Sequence, residues 1–414
     1  MPILALLLLL ACLPSPSEGR MALFTFETAD GHTATGEWLS FDAQGSELAT
    51  GEGRSELEPG ELLLVSGLPA APAAQATTPR DILLMPSRPG APGLGDRLVG
   101  RLVGGDDVEV RFLIEGVSEV AIPFEFVDRL LPAADRPLDR LAQLAAEGFD
   151  DRVWRRRDDA SLDAVGGVIA EVSAEGLLLE SALGDLELGW SEVLAVALAD
   201  TAHPGQNLEG WPVRLALRGG SAFEAGLISV SPHEITVTTQ FAERLAVPPG
   251  ELAAMVLSEE SDRAPLLLAD LSPVEVDEWP SLGRDESTLF PWQRDLAVAG
   301  HMLRVGGLPR VTGLGVHAHS TLVFRVPPGV QGLRVTVGLS DDVLHIPAQG
   351  SVSFELRSEG QMLAQVARFD EGDEPVVLRV SGLSAGQLLE LVVGDGGDHD
   401  AGDRAVWADG VFRR

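Results

Sequence analysis

Hydrophobic residues in this chain alternate with polar ones over short stretches, and Gly, Asp, Ser and Pro separate the stretches. Alternation with a period of two is typical of strands that bury one face. Four segments also share a Pro or Gly near the start, an acidic residue near the fifth place, and apolar residues at the sixth and ninth. They are LEPGELLLV (Leu57 to Val65), IPFEFVDRL (Ile122 to Leu130), LGWSEVLAV (Leu188 to Val196) and VPPGELAAM (Val247 to Met255). The recurrence predicts four tandem β units.

Each unit spans about 40 residues, which is close to the lower limit for an independent hydrophobic core. The units should therefore pack together, in pairs or as a chain. Three strands, a turn and a last strand favour a small Sm-like or SH3-like barrel. Four hairpins on one shared sheet, or common turn chemistry alone, are the alternatives. Apolar residues at helical spacing from Leu138 to Phe149 predict one short helix between the second and third units.

We therefore expect an all-β protein, in which tandem small barrel-like units precede a C-terminal domain. The length of 414 residues is typical of several domains. The predicted limits are a signal peptide (1–19), β unit 1 (20–68), β unit 2 (81–132), a linker with the short helix (133–160), β unit 3 (161–200), β unit 4 (210–258) and the C-terminal domain (264–414).

The charge of the chain excludes one class of partner. It has 63 acidic against 30 basic residues, which gives a formal net charge of -33. Nucleic acid is therefore not an expected partner, because binding to phosphates requires a basic face.

The first residues predict export. The apolar run from Ile3 to Leu10 suits the core of a signal peptide and is too short to span a bilayer. We expect a periplasmic, cell-surface or secreted protein. Cys12, the single cysteine, excludes an intramolecular disulfide and ends a run that resembles a bacterial lipobox. Membrane attachment is expected only if Cys12 is lipidated, and the alternative is a signal peptide that is cleaved a few residues later.

Chemistry-bearing residues concentrate in the last third of the chain. The octapeptide GLGVHAHS (Gly313 to Ser320) is followed by two acidic loops, in Val337 to Val343 and Gly394 to Phe412. With PWQRDLAVAGHMLRVGG (Pro291 to Gly307), these segments resemble the NPCBM family, which is related to the family 51 carbohydrate-binding modules. The resemblance implies that the C-terminal domain (264–414) is a noncatalytic, galactose-binding-like β-sandwich that holds a sugar among loops at one end.

A sugar site combines flat side chains with carboxylates and other hydrogen-bonding groups. The candidate ligand-binding residues in the octapeptide, the acidic loops and the terminal strand are His317, Asp341, Asp342, Asp395, Asp398, Trp407 and Asp409. Core packing is the alternative for Trp407. Close approach of neighbouring strands is the alternative for the glycines of the octapeptide.

The acidic loop GDGGDHDAGD also suggests a calcium site. Closely spaced carboxylates on a glycine-rich loop can supply the oxygen ligands of this ion, and the alternative is a solvated turn. The candidate calcium ligands are Asp395, Asp398, Asp400 and Asp403. His317 and His319 would share one face of a strand, a spacing that zinc could also use. No other cofactor is expected.

Enzymatic activity is not expected. The segment GLSAG (Gly382 to Gly386) matches a hydrolase nucleophile pattern, but two strand-like stretches flank it as in a hairpin, whereas that motif joins a strand to a helix. We expect an exported, noncatalytic carbohydrate-binding protein. One alternative is a cell-envelope scaffold whose β units bind proteins and whose module no longer binds sugar. The departures from the family at Thr312 and at Arg404 to Val406 would favour it. The other alternative is a hydrolase with an appended module.

Overall fold

The computed structural model describes residues 22–42, 44–69, 80–86, 95–133, 150–156, 162–182, 184–199, 208–278, 290–345 and 350–414. Within these ranges the regular structure consists of strands and short 3-10 turns, so the predicted all-β class is confirmed. The predicted signal peptide, Cys12 and the predicted helix at 138–149 lie outside the described residues. The described part of the chain contains no helix with the length and apolar character needed to cross a membrane.

The first two units contain five strands each. Unit 1 consists of β1 (Leu23–Thr28), β2 (Thr33–Asp42), β3 (Gly45–Thr50), β4 (Gly53–Leu57) and β5 (Leu62–Gly67). Unit 2 consists of β6 (Asp81–Leu84), β7 (Arg97–Gly105), β8 (Glu109–Ile114), β9 (Glu119–Pro123) and β10 (Arg129–Leu131).

The third and fourth units repeat this arrangement. Unit 3 consists of β11 (Asp151–Arg156), β12 (Leu162–Val172), β13 (Gly176–Ser181), β14 (Gly184–Gly189) and β15 (Val193–Ala197). Unit 4 consists of β16 (Trp211–Leu217), β17 (Ala222–Val230), β18 (Ile235–Thr238), β19 (Leu245–Val247) and β20 (Leu252–Leu257). Strand β11 lies in the stretch predicted from the sequence to be a linker, so that prediction was wrong there. The charged residues around Val153 suggested an exposed segment, but the Val153 side chain is buried in the core. The other unit limits stay predictions.

All four units share one topology. The fifth strand pairs with the first, and the second, third and fourth strands follow in order, all antiparallel. The second strand of every unit contains a register shift, which bends a strand so that it can serve both halves of a barrel. A 3-10 turn precedes the last strand in units 2 and 4, at Phe124–Phe126 and Pro249–Glu251. The prediction of tandem barrel-like units is therefore confirmed.

The units pair in a nested order. Strand β5 of unit 1 pairs with β20 of unit 4, and β10 of unit 2 pairs with β15 of unit 3. Val65 lies opposite Met255, and Leu130 lies opposite Val196. These four residues are the ninth places of the four sequence segments, so each segment pairs with its own counterpart.

The C-terminal region forms two five-stranded antiparallel sheets that face each other. The first sheet consists, in spatial order, of β21 (Glu275–Glu278), β26 (Ser320–Arg325), β31 (Leu388–Gly394), β28 (Ser351–Ser358) and β29 (Gln361–Asp370). The second consists of β22 (Gln293–Arg294), β25 (Gly313–His317), β32 (Arg404–Arg413), β27 (Gly332–Leu339) and β30 (Val376–Ser381). A short hairpin of β23 (Arg304–Val305) and β24 (Leu308–Pro309) precedes β25.

The segment GLSAG connects the two sheets of the sandwich. It joins β30 in the second sheet to β31 in the first, so the hairpin expected from the sequence was wrong. The two flanking strands alternate apolar residues in the same way as hairpin strands, because both bury one face in the same core. Ser384 therefore lies in a crossover between strands, and a strand-to-helix elbow is absent there.

The outer face of the second sheet, here called the docking face, packs on units 1 and 4. Leu64 and Val256, from the paired strands β5 and β20, share one buried apolar cluster with Val311 and Val411 of the sandwich. Strand β32 is consequently buried on both sides from Ala405 to Phe412.

Charged residues reinforce this contact. Glu27 of unit 1 accepts hydrogen bonds from Arg334 on β27 and Arg379 on β30. The Arg334 and Glu27 side chains are 4% and 5% exposed. An isolated buried charge costs several kcal/mol. This ion pair therefore fixes the position of the sandwich relative to unit 1.

Candidate functional site

A cluster of polar and aromatic side chains lies where β25 ends and β32 begins. His317 and Arg404 are direct partners across these two strands. The ring of Phe290 stacks on His317 with centroids 5.4 Å apart, and the Arg404 guanidinium lies 5.5 Å from the centre of the Phe290 ring. Nη1 of Arg404 donates to Oδ2 of Asp342 over 2.9 Å. We call Phe290, His317, Asp342 and Arg404 the His317 cluster.

The protonation of His317 follows from its neighbour. Its Nδ1 lies 2.7 Å from the Ala318 carbonyl oxygen, which can only accept, so Nδ1 carries the proton and Nε2 is a free acceptor in the neutral ring. Burial lowers the pKa of His317 below its usual value, which keeps the ring neutral near pH 7. Arg404 retains N–H groups that Asp342 does not engage. The cluster therefore presents both an acceptor and donors beside an aromatic ring.

The acidic loop between β31 and β32 divides its carboxylates among different roles. Asp398 accepts hydrogen bonds from the His399 amide, the Ser351 hydroxyl and Arg368, which lower its pKa to about 2. Asp395 accepts from a loop amide. No hydrogen bond or ion pair engages the Asp400 carboxylate among the described residues.

Asp403 is the buried member of the loop. Its side chain is 0% exposed, and Oδ1 accepts from the Ser351 amide over 2.9 Å. Its Oδ2 has no hydrogen-bond partner among the described residues. Burial raises the pKa of Asp403 to about 7, although the Ser351 hydrogen bond acts in the opposite direction.

The structure bears differently on the calcium prediction and on the zinc prediction. Across the described residues, no three His, Cys, Asp or Glu side chains are grouped so that they could hold a metal ion. The protein's own donors already occupy Asp398, and calcium binding by this loop stays a prediction. The shared strand face expected for His317 and His319 was wrong: β25 ends at His317, and Nε2 of His319 lies 3.7 Å from Asp395.

Two predicted ligand residues belong to the structural core instead. Trp407 is 1% exposed and packs edge-on against Phe354, with ring centroids 5.2 Å apart. Asp409 is 0% exposed, accepts from the Val311 amide over 2.9 Å and lies 3.5 Å from Arg310. Neither side chain can reach a ligand, so both assignments were wrong. The near-continuous apolar run around Trp407 was the sequence signal for a strand buried on both faces.

Asp341 and Asp342 are adjacent in the sequence, but their side chains have different partners. Oδ2 of Asp341 accepts from the Gly307 amide over 3.0 Å and so anchors the turn of the β23–β24 hairpin. Burial raises its pKa. Only Asp342 joins the His317 cluster.

Phe290 and Arg404 are not among the site residues predicted from the sequence. The signal for Arg404 was its place at the start of the strand that pairs with the octapeptide. Phe290 carried no such signal, since only the fold brings it to the end of β25.

The glycines of the octapeptide let neighbouring chain segments come close, which was the alternative to ligand contact in the interpretation of the sequence. A Cβ atom on Gly315 would lie 2.3 Å from the Leu296 carbonyl oxygen, and one on Gly313 would lie 2.5 Å from that of Trp407. Both distances are too short for any side chain. These glycines bring strands together and leave His317 at the strand end as the residue available for contact.

The architecture is thus a two-sheet β-sandwich with a polar and aromatic cluster among its end loops. Residues 273–413 match the family model described as NPCBM/NEW2 domain, so the resemblance found in the sequence is confirmed. No curated protein matches the chain.

Solved structures of carbohydrate-binding modules are similar at low identity. A CBM51 of Clostridium perfringens GH95 in complex with methyl-galactose shares 19% identity, with 36% of this chain and 100% of that chain covered and a TM-score of 0.31. CBM51-2, in complex with GlcNAc, with INT domains of Clostridium perfringens ZmpB shares 20%, with 44% and 36% covered and a TM-score of 0.32. Tandem CBM51 modules of Streptococcus pneumoniae Sp3GH98 share 10%, with 95% and 88% covered and a TM-score of 0.31. Similarities at this level carry no argument about a ligand.

The raised pKa of Asp403 predicts a stability effect that depends on pH. Since the folded-state pKa of about 7 exceeds the ordinary value of 3.8, the folded state binds the extra proton between these values. Stability should therefore fall as pH rises through this window. At pH 8, Asp403→Asn should melt roughly 2 to 4 °C higher than the parent, as expected for about 1 kcal/mol. At pH 4 the difference should vanish.

Calorimetric melting curves from pH 4 to 8 would check this, and equal pH profiles for both proteins would contradict it. A parallel series with calcium and with a chelator would show whether this loop binds the ion.

Proposed function

We propose that residues 273–413 bind carbohydrate through the His317 cluster. The family match supports a carbohydrate-binding role for this part of the chain. The observation that carries the proposal is the pairing of a neutral His317 with Arg404 against the Phe290 ring. A sugar hydroxyl can donate to Nε2 of His317 while a neighbouring hydroxyl accepts from Arg404, and the Phe290 ring adds apolar contact area.

The position of the cluster supports this role. Buried contacts between the sandwich and the β units are made by Val311 and Val411, which pack on units 1 and 4, and by Leu296, which packs on units 2 and 3. His317 and Arg404 stay partly exposed with the sandwich docked, and the Arg404 side chain is 16% exposed. The β units therefore hold the module without burying the cluster completely.

We further propose that the protein is exported and noncatalytic, at the cell surface, in the periplasm or outside the cell, with a lipid anchor if Cys12 is modified. The alternative is a scaffold whose module no longer binds sugar and whose β units contact protein partners. The burial of Trp407 and Asp409 favours that alternative, because it removes two candidate ligand residues from the surface. The partial exposure of His317 and Arg404 favours sugar binding.

His317→Ala should weaken sugar binding at least tenfold, about 1.4 kcal/mol, because it removes the free acceptor and one wall of the cluster. The full chain would be screened on a glycan array, and the affinity for each hit would be measured by calorimetry. His399→Ala is the matched control, since this exposed His lies in the neighbouring acidic loop.

Two results would count against the proposal. Equal affinity of the parent and His317→Ala for the same sugar would place the site elsewhere in the module. Silence of the folded parent across the array would favour the scaffold.

A further inference from the structure

Charged side chains are buried where the sandwich meets units 2 and 4. Arg214 on β16 and Asp295, which follows β22, each have a side chain that is 10% exposed, and their charged groups are 4.0 Å apart. Asp270, in the 3-10 turn Leu268–Asp270 of the sandwich, lies 3.8 Å from Arg214. Both distances are longer than a hydrogen bond, and Nε of Arg214 has no partner among the described residues. These charges therefore act on one another without direct hydrogen bonds between them.

The two sides of this contact differ in formal charge. Units 2 and 4 contribute two carboxylates and two arginines, which balance each other: Asp96, Glu224, Arg97 and Arg214. The sandwich contributes two carboxylates and one arginine: Asp270, Asp295 and Arg294. The docked cluster thus contains one more carboxylate than it has arginines, in a place that excludes most of the water. One bound proton would remove this excess.

Asp270 is the carboxylate of the sandwich that is suited to take that proton. Asp295 accepts hydrogen bonds from the Thr312 hydroxyl over 2.6 Å and from the Gly313 amide over 3.1 Å, so its charge has donors within the sandwich. The Asp270 carboxylate accepts no hydrogen bond among the described residues. Burial raises the pKa of Asp270 to about 6 against the opposing effect of Arg214.

Asp96 titrates for a different reason. Burial raises its pKa to about 7, but its hydrogen-bond donors are the Glu224 amide and the Gln240 side chain of unit 4. Its proton therefore belongs to the contact between units 2 and 4. Asp270 alone of the two lies on the sandwich and leaves the cluster when the sandwich separates.

We propose that docking of the sandwich on units 2 and 4 takes up one proton, so that acid strengthens this contact and alkali weakens it. In a separated sandwich Asp270 is in water and has its ordinary pKa of 3.8. The docked state binds the proton more tightly, so its added stability is complete below about pH 4 and is lost as pH rises through about 6. The hold of the β units on the module then depends on the acidity of the surroundings.

Thiol labelling of a buried docking residue measures this separation in the full chain. In a Cys12→Ser background, Val311→Cys places a thiol at the docking face, where Val311 is buried. Val352→Cys is the matched control, because Val352 is buried between the two sheets and reports global unfolding. A dipyridyl disulfide, which reacts at acid pH, would label both proteins from pH 4 to 7. Each rate divided by that of an exposed thiol in a short peptide gives the open fraction.

We expect the open fraction to be larger in Val311→Cys than in Val352→Cys, and in Val311→Cys to rise about tenfold from pH 4 to pH 7. Adding Asp270→Asn should reduce this rise to about twofold or less. Adding Asp277→Asn, which removes an exposed carboxylate on β21, should leave it unchanged.

Two outcomes would overturn the inference. One is an open fraction in Val311→Cys that is equal at pH 4 and pH 7, or a rise that survives Asp270→Asn. The other is the same open fraction for both thiols at every pH, since the sandwich would then separate from the units only by global unfolding.

Discussion

Glu27→Gln should lower the free energy of unfolding by about 3 to 5 kcal/mol, the cost typical of breaking one buried ion pair from one side. Glu27 is the shared acceptor for Arg334, which donates from Nε over 3.0 Å, and for Arg379, which donates over 2.8 Å. The substitution retains the shape of the side chain but removes the charge. Arg334 would then remain buried at the docking face without a counter-ion.

Urea titration of the parent and the variant would measure this loss. Arg379→Ala is the matched control: it removes a donor to the same carboxylate from a side chain that is 40% exposed, so we expect about 1 kcal/mol or less. The double variant Glu27→Met with Arg334→Met should recover most of the stability, because neither charge is left buried. A loss of under 1 kcal/mol for Glu27→Gln would show that the docking face does not depend on this pair.

Trp407→Ala should also cost about 3 to 5 kcal/mol, as is typical when a large aromatic side chain is removed from a core. Trp407 is 1% exposed, lies between the two sheets and contacts Phe354 edge to face. Its removal would leave a cavity at the centre of the sandwich. At temperatures at which the variant stays folded, sugar affinity should remain within about twofold of the parent.

Thermal melting and calorimetric titration separate the two effects. Trp292→Ala serves as the comparison, because Trp292 is only partly buried at the edge of the sandwich core, with the Arg294 guanidinium 5.3 Å from its ring centre. We expect a smaller loss of stability there. A folded Trp407→Ala protein that has lost its ligand would instead place Trp407 in the site.

The sequence predicted local features of the fold well. The four segments that end at Val65, Leu130, Val196 and Met255 were recognisable because apolar places, turn residues and an acidic residue recur at fixed spacing. Such spacing reports where strands and turns lie along one chain. It contains no information about which unit lies beside which, because the pairing of Val65 with Met255 depends on a contact between distant segments.

The candidate site was predicted in part for a related reason. His317 and Asp342 come together as expected from their loops. Asp341, one residue away, instead accepts a hydrogen bond from the Gly307 amide. Phe290 joins the cluster only through the fold. Trp407 was assigned to the ligand because tryptophan is common in sugar sites, yet residues on both sides of it are apolar, and the β units cover the outer face of its strand.

The nested pairing of the units sets an order of assembly during synthesis. Units 2 and 3 are neighbours in the chain and can pair soon after both have emerged. Strand β5 of unit 1 must wait for β20, and at ~5–20 residues per second the roughly 185 residues from Gly67 to Leu252 take roughly 10 to 40 seconds. Throughout that interval the hydrogen-bonding edge of β5 is open to other chains. The sheet that joins units 1 and 4 is therefore completed only after β20 has been made.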